Sequence, residues 1–250
     1  MKNIFIYIGS RRKTTSNTFK FINLTLNKLC KKSATPLKYE IFTPTNTSIN
    51  NCEGCLNCFN SGVCFQDKLD DMEAIKNKLL NSDFIIFATP IYSNFVTADM
   101  KCFIDRLSYW THLMILAGKP AIALTTSNGN GCEYTLNYMH TIMSHLGLDV
   151  VKKINITAFE NANFSDDYFN SKADQCANLI YDYIFGVKKV KSNETLEKLF
   201  SFKNKNFLLF KDMLEQNKIL KSQLPYQYFH WINNKYTNAT SFQELLDNIN

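Results

Sequence analysis

The chain has 250 residues, of which 45% are hydrophobic and 20% are charged, as in an ordinary globular protein. Its formal net charge of +6 is too small to indicate a nucleic-acid-binding surface. No stretch approaches the ~20 apolar residues of a membrane helix, and the apolar run at the N-terminus is too short for a signal peptide. We therefore expect a cytoplasmic protein with no membrane or nucleic-acid partner, in which reducing conditions disfavour structural disulfides.

Five short segments in the first 186 residues have the composition of β-strands. Three are near-continuous apolar runs, which are typical of strands buried on both faces of a parallel sheet. These three runs are 2–8 (KNIFIYI), 84–90 (FIIFATP) and 120–126 (PAIALTT). Weaker strand patterns occupy 37–42 and 150–156.

Apolar residues at helical spacing fill the segments between these strands. They predict helices over 16–31, 70–81, 97–110, 132–146 and 168–185. The second of these opens with Asp70 and Glu73 at the spacing of a capping box. Alternation of strands and helices predicts an α/β fold with a doubly wound, five-stranded parallel sheet. Five strands favour the flavodoxin-like strand order 2-1-3-4-5.

Three loops of this sheet are candidate ligand-binding loops, because ligands bind at the carboxyl ends of such strands. The loop after the first strand (GSRRKTTSNT, 9–18) is rich in hydroxyl groups and leads into a helix, which predicts an anion cradle. It lacks the glycines of a Walker A or dinucleotide motif, so a terminal phosphate such as that of FMN suits it better. The alternative is a polar turn with Ser16 as the N-cap. The loops at 89–97 and 125–131 offer backbone groups to a planar ligand, although each alone is also typical of an ordinary turn.

Four of the eight cysteines lie within thirteen residues, in the pattern C-x2-C-x2-C-x5-C. They are Cys52, Cys55, Cys58 and Cys64. Closely spaced thiolates can wrap a 4Fe–4S cluster, whereas zinc usually takes two CxxC pairs that lie farther apart. The spacing favours a cluster and leaves zinc and free thiols as alternatives. The other cysteines are scattered over predicted helices and are expected to be small core residues; they are Cys30, Cys102, Cys132 and Cys176.

Four segments of the chain resemble the NADPH-dependent FMN reductase superfamily and, within it, the iron–sulfur flavoproteins. They are GSRRKTTSNT, CEGCLNCFNSGVC, DKLDDM and TPIYSNFVTADMKCFIDR, all within about residues 1–185. One departure is Arg11, where the family often has proline. The resemblance implies that the FMN phosphate is held by Ser10, Arg12, Ser16, Asn17 and Thr18. It implies isoalloxazine contacts from Pro90, Ile91, Tyr92, Ser93 and Asn94, and further contacts from Thr126, Ser127 and Gly129.

The same resemblance implies that the four clustered cysteines bind a 4Fe–4S cluster. The chain would then be an electron-transfer flavoprotein that takes electrons from a donor such as ferredoxin or NAD(P)H and passes them to a small-molecule acceptor. In the family the cluster of one subunit faces the FMN of its neighbour, so a homo-oligomer (dimer or tetramer) is expected. The alternatives are an NAD(P)H-dependent FMN or quinone reductase without a cluster and a non-catalytic binding protein.

The resemblance does not reach the last part of the chain. We predict a flavodoxin-like FMN-binding domain over 1–186, with its Cys-rich loop at about 43–67, and a mostly helical, aromatic-rich extension over 187–250. Apolar residues at helical spacing precede Pro225, and Ser241 begins a last helix. The extension is expected to pack on its own domain, to close over the flavin, or to clasp a neighbouring subunit.

Overall fold

A five-stranded parallel sheet forms the centre of the molecule, of which the computed structural model describes residues 1–159 and 162–249. The strands described are β1 (Lys2–Ile8), β2 (Leu37–Phe42), β3 (Phe84–Pro90), β4 (Pro120–Ser127) and β5 (Asp149–Thr157). Their order is β2-β1-β3-β4-β5, and every neighbouring pair is parallel. The predicted flavodoxin-like topology is therefore confirmed.

Helices connect these strands and continue past the sheet. Those between strands or directly after β5 are α1 (Asn17–Lys32), α2 (Asn57–Ser61), α3 (Met72–Leu80), α4 (Ala98–Arg106), α5 (Trp110–Leu113), α6 (Cys132–His145) and α7 (Asp167–Ile184). The C-terminal segment adds α8 (Glu194–Glu215), α9 (Tyr226–Asn233) and α10 (Phe242–Ile249). In the described ranges, no helix combines the length and apolar character needed to cross a bilayer.

Two helix predictions differ from the structure at helix ends. The helix expected over 97–110 ends at Arg106, because tight turns such as the one from Ser108 N–H to the Asp105 carbonyl (3.2 Å) interrupt it before α5. The predicted capping box at Asp70 is also wrong. The helix begins at Met72, and the Asp70 carboxylate accepts hydrogen bonds from several groups outside the helix as well as from Met72 N–H.

Buried side chains cover both faces of the sheet. Phe5 and Phe87 belong to the hydrophobic cluster on one face, and Ile4, Ile6 and Ile86 belong to the cluster on the other. Because successive residues of a strand point to opposite faces, a strand covered on both sides must be apolar throughout. This burial explains the uninterrupted apolar runs in the sequence.

The C-terminal segment (187–249 in the described part) has a hydrophobic cluster of its own. Phe200 and Trp231 are fully buried and stack with ring centroids 5.4 Å apart. From the first 186 residues, Met114 enters this cluster, and its carbonyl accepts a hydrogen bond from the Tyr236 hydroxyl (3.4 Å). Within this chain the segment thus packs on the α5 end of its own sheet domain. The domain boundary at residue 186 stays a prediction.

Candidate functional site

A cleft of about 260 Å³ lies where the carboxyl ends of β1, β3 and β4 meet. Ten of the thirteen residues predicted to contact FMN line it: Ser10, Arg12, Ser16, Asn17, Thr18, Pro90, Ile91, Tyr92, Thr126 and Ser127. Asn128, Asn130 and Ala158 complete the lining. The three loops singled out from the sequence therefore converge on one cleft, at the edge where such sheets bind ligands.

The first loop is held by hydroxyl groups and directs the start of α1 at the cleft. Ser16 is the N-cap of α1, and its Oγ accepts a hydrogen bond from Phe19 N–H (3.4 Å). Thr18 is fully buried, and its hydroxyl lies 2.7 Å from the hydroxyl of Thr126 at the end of β4. The polar-turn interpretation of Ser16 and an anion cradle are thus compatible, because the capped helix end still presents its positive pole to the cleft.

Close packing at Gly9 brings this loop against the start of α4. A Cβ atom at Gly9 would lie 2.7 Å from the Met100 Cβ and 2.8 Å from the Thr97 hydroxyl oxygen. The Thr97 hydroxyl also donates a hydrogen bond to the Gly9 carbonyl (2.7 Å). Only glycine leaves room for this close approach between the loop and the start of α4.

Asn17 joins the first loop to the loop after β5. Its side-chain amide donates to the carbonyls of Ala158 (2.9 Å) and Phe159 (3.1 Å). The sequence does not indicate Ala158 as a site residue, because this contact joins residues 141 positions apart and leaves no local pattern. Asn128 and Asn130 were also missed, although a signal existed in the asparagines that flank Gly129.

Three predicted residues lie outside the lining of the cleft. Ser93 and Asn94 have φ values of +49° and +62° and form the tip of a tight hairpin turn between Tyr92 and Phe95. Gly129 has φ +122° and its N–H donates to Ser127 Oγ (3.2 Å). The contact of these three residues with a flavin stays a prediction.

The cysteine motif lies on an exposed loop between β2 and α3. Cys52 and Cys55 are exposed, whereas Cys58, in α2, and Cys64 are half-buried. Burial raises the pKa of the Cys58 thiol, and the proximity of Cys64, Cys52 and Cys55 raises this pKa further. Within 1–159 and 162–249, however, no three His, Cys, Asp or Glu side chains are grouped closely enough to hold a metal ion.

A buried cation holds the segment that follows the cysteine motif. The Arg106 side chain is fully buried and donates to the Asp67 carboxylate (2.9 Å) and to that of Asp70. Lys76 forms a second buried ion pair with Asp67 (2.6 Å). Burial alone would raise the pKa of Asp70, but hydrogen bonds from Arg106, Asn50 and Met72 keep it below its usual value. The DKLDDM segment is thus fixed by charge compensation in the interior.

Asp70 and Arg106 of this network, together with the exposed Asp71, also hold the segment that precedes the motif. Asn50 N–H donates to Asp70 (2.9 Å) and its carbonyl accepts from Arg106 (3.0 Å). Ser48 N–H donates to Asp71 (2.7 Å). Both flanks of the cysteine loop are therefore attached to one buried network, while the exposed cysteines between them have few contacts.

The expectation that the scattered cysteines are core residues holds for Cys176, which is buried. It is wrong for Cys30, which is exposed on α1, because the apolar face of that helix is turned away from it. Cys102 and Cys132 are half-buried. The Cys102 thiol lies 3.5 Å from the Asn50 carbonyl, beside the cysteine loop.

The cysteine loop also contacts the C-terminal segment. Gly62 ends α2 with φ +76°, and a Cβ atom there would lie 2.5 Å from ring atoms of Tyr226 in α9. No side chain larger than hydrogen fits between these two groups unless the tyrosine ring moves. The position of α9 is therefore set in part by the loop that carries the cysteines.

We expect Gly62→Ala to destabilise the protein more than Gly54→Ala, which is the matched control. Both glycines have positive φ, +76° and +68°, which costs about 1–2 kcal/mol for alanine. Only Gly62 has a neighbour, since a Cβ at Gly54 would meet nothing within 4 Å. Urea unfolding of both variants measures the difference. Equal losses of stability would show that Tyr226 does not pack tightly on the loop.

Comparison with known proteins agrees with this geometry. The family model described as NADPH-dependent FMN reductase matches residues 1–161. An iron–sulfur flavoprotein of Clostridioides difficile is 27% identical over 224 residues, which cover 86% of this chain and 94% of that protein. An iron–sulfur flavoprotein of Archaeoglobus fulgidus is 34% identical over 142 residues, which cover 56% of this chain and 62% of that protein. The chain thus matches less than two thirds of the Archaeoglobus protein's length.

Solved structures share the fold. An apo NADH:FMN oxidoreductase superposes with a TM-score of 0.51 at 21% identity, covering 78% of this chain and 94% of that one. A flavone reductase superposes with a TM-score of 0.57 at 14% identity, covering 74% of this chain and 64% of that one. The family match extends over more than half of the chain and includes the three loops that form most of the cleft. This chain, which has a flavodoxin-like fold, therefore belongs to the NADPH-dependent FMN reductase family.

Proposed function

We propose that this protein is an electron-transfer flavoprotein that uses FMN and a 4Fe–4S cluster. The observation that carries the proposal is a compact four-cysteine motif on a loop whose two flanks are attached to the buried Arg106 network. The attachment fixes the ends of the loop and leaves the cysteines free to arrange around a cluster. The names of the related proteins from C. difficile and A. fulgidus support the same assignment.

The residues present suit both groups. Ser10, Arg12, Ser16, Asn17 and Thr18 would hold the FMN phosphate, because hydroxyls, a guanidinium and a helix N-terminus all favour an anion. Pro90 to Asn94, with Thr126, Ser127 and Gly129, would surround the isoalloxazine. Cys52, Cys55, Cys58 and Cys64 would supply the four thiolates that a cluster requires. When bound, the flavin exchanges electrons singly or in pairs and the cluster exchanges them singly.

The protein's partners follow from this chemistry. The electron donor would be ferredoxin or NAD(P)H, and the acceptor a small molecule. An arrangement in which the cluster of one subunit serves the flavin of another would require a homo-oligomer, either a dimer or a tetramer. Exposed Cys52 and Cys55 suit a reducing, cytoplasmic location, where thiols persist.

One observation favours a second candidate, an NAD(P)H-dependent FMN or quinone reductase without a cluster. In the part of the chain that is described, the four thiols are not grouped as a metal site. Under this candidate the cysteines are free thiols and the flavin cleft alone carries the activity.

Chemical analysis separates the two candidates. Protein purified without oxygen should contain about four iron atoms and four acid-labile sulfides per chain, with absorbance from both flavin and cluster. Cys58→Ser should lose the iron and sulfide and keep FMN. Cys102→Ser is the matched control, since Cys102 lies beside the loop but outside the motif. This variant should keep the iron and sulfide as well as FMN. Stoichiometric zinc without sulfide, or flavin alone, would refute the cluster.

A further inference from the structure

A second cavity, of about 390 Å³, lies between the cysteine loop and the C-terminal segment. Cys58 and Phe59 of α2 form one wall, and residues of α5, α8 and α9 form the others. Among residues 1–159 and 162–249, none is shared between its lining and that of the flavin cleft. The cavity is therefore a separate site, and it exists only because the C-terminal segment packs beside the cysteine loop.

The walls of this cavity are mainly apolar and aromatic. Phe59, Leu113, Phe210 and Tyr226 contribute rings or branched carbons to the lining. The Phe59 and His112 rings meet edge to face with centroids 5.0 Å apart. Pockets of about 300–1,000 Å³ with walls of this kind are typical of small-molecule sites. Flat rings suit such walls, because aromatic groups prefer stacked or edge-to-face contacts.

The polar groups in the lining are imidazole, amide, phenol and thiol groups. In the described part of the chain, no Asp, Glu, Lys or Arg side chain belongs to the lining. Burial lowers the pKa of His112 and the nearby Lys203 lowers it further, while a hydrogen bond with the Gln227 side chain acts in the opposite direction. His112 and Gln227 are thus neighbouring hydrogen-bonding groups in the lining. A neutral ligand with one hydrogen-bonding oxygen matches this lining, whereas a charged ligand would lose hydration without gaining a counter-ion.

We propose that this cavity binds a neutral, planar aromatic molecule that carries a carbonyl or hydroxyl oxygen, as quinones do. The rings would lie between Phe59 and Tyr226, and the oxygen would hydrogen-bond to His112 or Gln227. Because Cys58 is part of the lining, such a ligand would lie next to the cysteine motif. That the ligand serves as the electron acceptor rests on the proposed function; that it binds in this cavity does not.

Two neighbouring leucines of α8 provide a matched test. Leu208 and Leu209 are similarly exposed, at 53% and 56%, but only Leu209 lines the cavity. The probe is 2,3-dimethyl-1,4-naphthoquinone. Its quinone carbons C2 and C3, where thiols would otherwise add, are both methylated and do not react with thiols. Equilibrium dialysis against the full chain, purified without oxygen, should show saturable binding. Leu209→Glu should weaken the affinity for the probe at least tenfold, and Leu208→Glu should change this affinity less than twofold.

Two further measurements decide the remaining outcomes. His112→Phe should weaken the probe about tenfold, which is the effect expected for one lost hydrogen bond. Tyr92→Ala, in the flavin cleft, should leave the affinity for the probe unchanged. The absence of saturable binding, equal losses in both leucine variants, or a loss confined to Tyr92→Ala would each overturn the proposal. Iron and sulfide analysis of the same preparation is a separate readout of the cluster assignment, so failure of that assignment is distinguished from failure of the probe to bind.

Discussion

Arg106→Met is expected to lower the free energy of unfolding by about 3–5 kcal/mol, because it leaves the buried Asp70 carboxylate without its cation and Asp67 with Lys76 alone. The side chains of Asp67 and Asp70 are only 10% and 1% exposed, so water cannot replace the guanidinium. Urea unfolding at neutral pH measures the loss. The contribution of Asp70 should disappear as the pH falls below 3.8, since a carboxylate whose pKa is lowered by folding stabilises only while ionised.

Lys101→Met provides the matched control for this prediction. Lys101 is also a cation of α4 and pairs with Asp105, but this pair is exposed and separated by one helical turn. Such pairs contribute roughly 0.3–0.5 kcal/mol. Comparable losses in the two variants would contradict the importance of the buried network. Limited proteolysis should also cut the cysteine loop faster in Arg106→Met, and an unchanged rate would show that the network does not hold the loop.

Asn17→Asp is expected to weaken FMN binding by roughly 100-fold or more, through charge repulsion with the phosphate. The same change also breaks the hydrogen bonds from Asn17 to the carbonyls of Ala158 and Phe159. Asn17→Ala breaks these bonds without adding charge, so it should cost about tenfold at most. Titration of flavin-free protein with FMN, followed by quenching of flavin fluorescence, measures both affinities.

The dependence of FMN affinity on salt separates charge repulsion from the loss of the Asn17 hydrogen bonds. Because dissolved ions screen charge repulsion, raising the ionic strength from about 0.01 M to 1 M should narrow the difference between Asn17→Asp and Asn17→Ala. The difference in FMN affinity between Asn17→Ala and the parent protein should change little with salt. If the aspartate and alanine variants bind FMN equally at low salt, the phosphate does not lie beside Asn17.

The sequence contains enough local information to determine the sheet and the location of its loops. The strands at 2–8 and 84–90 are apolar almost throughout, because both faces of the sheet are covered and most of their side chains lie in one of the two hydrophobic clusters. Strict alternation with helices then leaves few topologies, and the observed order is the one expected. The hydroxyl-rich loop at 9–18 and the cysteine motif were visible because their residues are adjacent in sequence.

Tertiary structure alone decided how these loops are held and what lies between them. Arg106 reaches Asp67 across 39 positions, and Asn17 reaches Ala158 across 141, so no local pattern indicates either contact. A sequence likewise cannot show that Gly62 faces Tyr226, because two separate packing units must meet before the contact exists. The cavity beside Cys58 arises in the same way, from the docking of α8 and α9 against the cysteine loop. Local propensities specify elements, whereas sites between elements depend on how their buried faces fit together.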